Sequence, residues 1–136
     1  MPQNNNLTLR GRNIMNQLEP GLADKLTNSL KELDEDLPSI ITDFVFGAVV
    51  GRKGLDIKIR EMLTVASLVS LGNAHDQLEL HMKGALNVGV TPQDLLEVVI
   101  QMSVYAGFPA FLNGLTAYRA ALAATGHALP AASGLK

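Results

Sequence analysis

Apolar residues recur at spacings of three and four along nearly all of this 136-residue chain, and no sustained alternating segment flanked by hairpin turns interrupts them. That periodicity confines the fold to helices packed on helices. Glycine and proline divide the pattern into pieces. A first helix is expected over 7–18, closed by Pro20-Gly21. A second runs from 22 to about 36, with Leu22, Leu26, Leu30 and Leu33 on one stripe, ending in the acidic run Asp34-Glu35-Asp36. Pro38 suits the first turn of a helix reaching about 49, and Gly47, Gly51 and Gly54 mark the loop that follows. Asp56 reads as the N-cap of a helix over 57–71, stopped by Gly72-Asn73. Another helix spans 74–88, ended by Gly89. Thr91-Pro92-Gln93-Asp94 then starts a helix to about 106, which breaks at Gly107-Phe108-Pro109 and resumes to about 125. The expected fold is all-α, one domain over 1–136 with six or seven short helices, and a mobile tail over 126–136.

Composition narrows what such helices can do. Apolar residues make up 47% of the chain, yet there are only six aromatics and no Trp, so the core must be aliphatic. Residues 62–71 carry no charge and are apolar on nearly every face, which predicts a central buried helix. The apolar excess also predicts a face covered by another subunit. The uncharged run between Glu97 and Arg119 is interrupted by Gln101, Ser103, Gly107-Phe108-Pro109, Asn113 and Gly114, which fits two buried helices better than a membrane span. The chain has no cysteine, which excludes disulfides, thiolate metal sites, iron–sulfur clusters and thiol catalysis. A net charge of −2 without basic bias argues against nucleic acid as a partner. Met1-Pro2-Gln3-Asn4-Asn5-Asn6 lacks the basic start and apolar stretch of a signal peptide, so a cytoplasmic location is expected.

Function is sought where polar groups interrupt the apolar pattern. Glu61 opens the most hydrophobic helix, on a stripe with Thr64, Val65 and Leu68. His81 lies mid-helix on a face shared with Gln77, Ala85 and Ala74. A Glu and a His on adjacent antiparallel helices can meet in a cleft and suit proton transfer near neutral pH. The same pair is also compatible with a purely structural hydrogen bond. His75 falls near a helix start and His127 beside the tail, and no three residues have metal-ligand spacing. The loop from Phe46 to Asp56, with Arg52 and Lys53 and then Lys58 and Arg60, is the basic cluster of the chain. Its arginines can bind a carboxylate, or pair with acidic residues of the same or another subunit. Tyr105 and Phe108, near a helix break, can wall a pocket or simply fill space.

These pieces resemble one family. Phe-Gly-x-Val-x-x-Arg-x-Gly-Leu at 46–55, Arg60-Glu61 opening a helix, Leu71-Gly72, the segment from His81 to Thr91 and the Tyr105-Ala106-Gly107-Phe108-Pro109 turn are similar to the carboxymuconolactone decarboxylase family, over roughly residues 8–124. The resemblance implies an all-α fold shared with alkyl hydroperoxidase D-like proteins, assembled as homotrimers or homohexamers. In the peroxidase branch a Cys-x-x-Cys pair precedes the family histidine; Ala74 and Gln77 stand there in this chain, so thiol peroxidase activity is not implied. The cysteine-free branch uses no metal or organic cofactor. For that branch the implied reaction is loss of CO2 from 4-carboxymuconolactone, giving 3-oxoadipate enol-lactone.

The resemblance implies His81 as proton donor, oriented by Glu61, with Gln77 as a polar neighbour and Arg52 or Arg60 binding carboxylate. Phe46 and Tyr105 are the expected aromatic substrate contacts. Family decarboxylases usually carry Trp-Gly-Glu-Val-Trp where this chain has Phe46-Gly47-Ala48-Val49-Val50, and Lys53 replaces a proline. Those departures alter the pocket wall and allow a proton-transfer enzyme acting on a different lactone or keto acid, or a related isomerase. The alternative expectation is a non-catalytic oligomer that keeps the fold and binds a small acid or another protein.

Overall fold

A computed structural model describes residues 5–131, and among them there are helices and no strand. The chain divides into two compact units whose boundary falls between Arg60 and Glu61.

The first unit holds α1 (Asn5–Leu18), α2 (Leu22–Lys31) and α3, an α-helical turn Leu37–Ser39 that continues as a π-helix Ile40–Val50. Met15, Leu18, Leu22, Ala23 and Phe46 are buried here. Two glycines set the approach of α1 to α3. A Cβ on Gly11 would lie 1.9 Å from the Thr42 carbonyl oxygen, and one on Gly47 would lie 2.4 Å from that of Leu7. The two helices therefore touch backbone to backbone, a distance that no side chain larger than hydrogen permits.

Helix α2 stops well short of the expected 36, and Leu33 is 78% exposed instead of joining the stripe. The acidic run explains this. The Asp36 amide donates to the Asp34 carboxylate at 2.8 Å, a local turn that competes with helix. Four carboxylates at 32 and 34–36 also oppose the negative end of the helix dipole.

Helix α4 (Ile57–Leu71) begins where expected, with Asp56 accepting the Lys58 amide at 2.8 Å. The second unit continues with α5 (His75–Asn87), α6 (Pro92–Tyr105) and α7 (Phe108–Thr125). Thr91 caps α6 by accepting the Asp94 amide, and Pro92 occupies its first turn. Gly72, Gly89, Gly107 and Gly126 have positive φ at the helix ends, as the breaks in the pattern predict.

The core of this unit is aliphatic: Val65, Val69, Leu78, Met82, Ala85, Leu86, Leu95, Val99 and Leu122 pack with Tyr118. Gly114 of α7 sits against Val99 and Val69, where a Cβ would come within 3.1 Å of the Val99 side chain. The expectation that α4 is buried on nearly every face is corrected. Glu61, Val65 and Val69 are buried, but Leu63 is 54% and Leu71 64% exposed. One helix stripe suffices to cover the α5–α7 layer, leaving the opposite face of α4 uncovered in a single chain. Of the tail expected over 126–136, residues 132–136 lie outside the described residues; 126–131 carry no helix.

Two outcomes follow from this packing. Gly11→Ala must force α1 off α3 and should lower the unfolding free energy by about 2 kcal/mol or more, read by urea denaturation. Burial pushes the Tyr118 phenol above its usual value of 10.0, while its hydroxyl donates to the Pro92 carbonyl at 2.9 Å. The folded state thus holds this proton more tightly than the unfolded one. That contribution is complete below about pH 10 and is lost as pH rises through the folded value. Wild-type stability should therefore fall more steeply above pH 10 than that of Tyr118→Phe, which should be about 1 kcal/mol less stable at pH 7.

Candidate active site

Glu61 is the first residue of the second unit and is fully buried. It is carried on the stripe of α4 that also holds Val65 and Val69, so the helix that buries those valines also buries the carboxylate. His81 projects from the middle of α5, and its Nδ1 lies 2.9 Å from Glu61 Oε2. The expected meeting of the two side chains is present in the structure.

Their exposures differ in a way that orders the site. The Glu61 side chain is 1% exposed and that of His81 13%, so the ring is the more accessible member of the pair. With Glu61 ionised, Nδ1 donates to it and is fixed as an N–H. Nε2 then points away from the carboxylate and bonds to no described residue. The second oxygen, Glu61 Oε1, is buried without a hydrogen-bond partner among the described residues. A buried carboxylate held through a single hydrogen bond is costly, and such cost is tolerated mainly where the group has a task. Chemically, the pair can orient an imidazole, stabilise its cation and present one ring nitrogen for proton transfer.

The other expected residues fall in both units. Gln77 is exposed, one turn before His81 on α5, and helps line an open cleft of about 370 Å3 with Asn73, Ala74, His75 and Asp76. Tyr105 is 76% exposed at the end of α6. In the first unit, Arg52 is exposed on the loop after α3, Arg60 is half-buried, and Phe46 is 6% exposed in the core.

Periodicity did not single out Asn73 and Asp76 of the cleft. A polar side chain on either side of a Gly72 turn carries no spacing signal, although two polar residues beside a helix start are a usable hint. A second cleft of about 160 Å3 lies between α5 and α7, lined by His75, Glu79, Asn113 and Thr116 above Ala117 and Ala120. Among the described residues, no group of three or more His, Asp or Glu could hold a metal ion, and no helix is long and apolar enough to cross a membrane.

The model of the carboxymuconolactone decarboxylase family matches residues 35–132, which include the α4–α5 pair. The chain belongs to this family. It is 37% identical over 88 residues to the 4-carboxymuconolactone decarboxylase of Acinetobacter baylyi, covering 65% of each protein. It is 37% identical over 76 residues to the nitrosuccinic acid decarboxylase of Metarhizium robertsii, covering 56% of this chain and 52% of that protein. An uncharacterized 15.0 kDa protein of Paracoccus denitrificans is 29% identical over 106 residues, 77% of this chain and 79% of its own. The chain thus spans just under two thirds of one decarboxylase and about half of the other. The all-α architecture expected of the family is the one observed.

Removing the imidazole should expose the energetic tension of the pair. His81→Leu leaves both Glu61 oxygens without a protein partner, and the unfolding free energy at pH 7 should fall by about 3 kcal/mol. Adding Glu61→Gln to His81→Leu should restore part of that loss, since a neutral amide is cheaper to bury. Urea denaturation of the three proteins checks both statements.

Proposed function

We propose that this chain is a carboxy-lyase acting on a small carboxylated lactone or a related activated acid, of the 4-carboxymuconolactone decarboxylase type. The observation that carries the reading is the imidazole of His81, partly open on one side and backed by the buried Glu61 carboxylate on the other. Names of two relatives, a lactone decarboxylase and a nitrosuccinic acid decarboxylase, support the reaction class. Both names denote acids with a group able to accept an electron pair.

In the proposed reaction the bond between the substrate carbon and its carboxylate breaks and CO2 leaves. The electron pair passes into the conjugated lactone carbonyl, giving an enolate. His81 then delivers a proton to carbon from Nε2, while Glu61 stabilises the imidazolium through Nδ1. Solvent later returns the proton to the ring. Arg52 or Arg60 binds the carboxylate, where a guanidinium supplies a two-pronged donor. Gln77 is a polar neighbour on the approach to His81. Tyr105 is an aromatic open to a substrate, whereas Phe46, at 6% exposure, contributes mainly through the shape of the residues it supports.

The proposed assembly is a homo-oligomer, a trimer or hexamer. Ile100, Val104, Tyr105, Phe108 and Leu112 are 42–78% exposed around the α6–α7 corner, more apolar surface than a helical hairpin usually leaves in water.

The test is turnover of 4-carboxymuconolactone and nitrosuccinate by the full chain. His81→Asn should fold normally by circular dichroism and lose at least about 100-fold in kcat, the scale of a positioned acid–base group. Full turnover by that variant would remove His81 from the mechanism. No turnover by the wild type of a panel of lactones and β-keto acids, with no ligand-induced thermal shift, would favour the non-catalytic alternative.

A further inference from the structure

Arg10 lies on α1, far in sequence from any residue assigned to the site, yet its side chain ends on the last turn of the helix that precedes the Arg52 loop. Its Nε donates to the Gly47 carbonyl at 2.8 Å. That carbonyl sits in the last turn of the π-helix, where two backbone amides could have closed on it. The Gly51 amide binds the Phe46 carbonyl at 2.8 Å instead, and the Arg52 amide binds that of Val49 at 3.2 Å. Arg10 therefore supplies the donor that the helix itself does not, acting as a C-terminal cap delivered from another helix.

The neighbouring glycines fit this role. A Cβ on Gly51 would lie 3.0 Å from Arg10 Cγ and 2.9 Å from the Phe46 carbonyl oxygen. Glycine at 51 leaves the channel along which the arginine stem runs. Glycine at 47 permits the approach of α1, with its Leu7 backbone, that brings Arg10 within reach. Arg10, Gly47 and Gly51 thus act together to fix where the helix ends and the loop begins, and Arg52 is the first residue after that point.

We infer that Arg10 is a positioning residue for substrate recognition: by capping the π-helix it fixes the loop that presents Arg52 to the substrate's carboxylate. This rests on the reading that Arg52 binds that carboxylate. A flexible loop would spend binding energy on ordering Arg52, whereas a capped one presents it already placed. The cost of losing Arg10 therefore falls on binding rather than on the chemical step.

The experiment has two arms on the full-length protein. In the first, amide hydrogen exchange compares wild type with Arg10→Met. The amides of Gly51 and Arg52, which bond to the Phe46 and Val49 carbonyls, should exchange about tenfold faster while those of α1 and of the first turns of α3 hold their protection. In the second, with 4-carboxymuconolactone as the probe, Arg10→Met should raise KM about tenfold and leave kcat within about twofold. In an Arg52→Met background the same change should raise KM no further, because the two residues then act as one.

Unchanged exchange at Gly51 and Arg52 overturns the inference. So does uniform loss of protection across the first unit with KM unmoved, or a KM effect of equal size in both backgrounds. If Arg10→Met does not fold, Arg10→Lys, which keeps the charge and much of the stem but lacks the Nε donor to the Gly47 carbonyl, should produce the same local exchange signature. If wild type does not turn over the lactone, the proposed function fails on that result, and the exchange arm alone decides whether Arg10 holds the loop.

Discussion

The hydrogen bond between Glu61 and His81 is the interaction around which the second unit is organised. A carboxylate that is fully buried cannot be left to itself, and the structure gives it one partner. That requirement fixes the angular setting of α4, whose buried stripe must include position 61. It also fixes α5, whose mid-helix position 81 must face back towards α4. The aliphatic side chains then fill the space that these two helices, together with α6 and α7, leave between them. An apolar residue in place of Glu61 would make a simpler core, and the polar pair is the departure from simplicity that most asks for a reason.

The first unit is built on a different constraint. Its central contact is steric, a close approach of two backbones made possible by Gly11 and Gly47. Where the second unit spends its specificity on one charged pair, the first spends it on absent side chains. The match to the carboxymuconolactone decarboxylase family covers the second unit as far as residue 132 and the part of the first from residue 35 onward.

Much of this was legible in the sequence because the signals are local. Pro92 after Thr91, Asp56 before an apolar run, and glycines at 72, 89, 107 and 126 each act within one turn of chain, and each marks a boundary where the structure has one. Glu61 and His81 were legible for a related reason: a charge inside an apolar stripe is conspicuous without any partner in view. What stayed hidden depends on competition or distance. The apolar stripe of α2 runs through Leu33, but the Asp34 carboxylate captures a backbone amide and ends the helix first. An uncharged stretch such as 62–71 does not say which of its faces is covered, and Leu63 and Leu71 are not. Apolar spacing does not separate a π-helix from an α-helix over eleven residues. The role of Arg10 needs a contact across 37 positions, which no pattern along the chain records.

The buried pair is also close in sequence. Glu61 and His81 are separated by 20 positions, one on α4 and the other on α5, helices joined by a turn at Gly72. Contacts of such short range close early and with little loss of chain entropy. The geometry of the pair can therefore take shape within the α4–α5 segment itself, before the distant partners of the fold have been found. Insertions or altered lengths before residue 57 would leave that segment's own spacing untouched, so the pair has a frame that tolerates change around it.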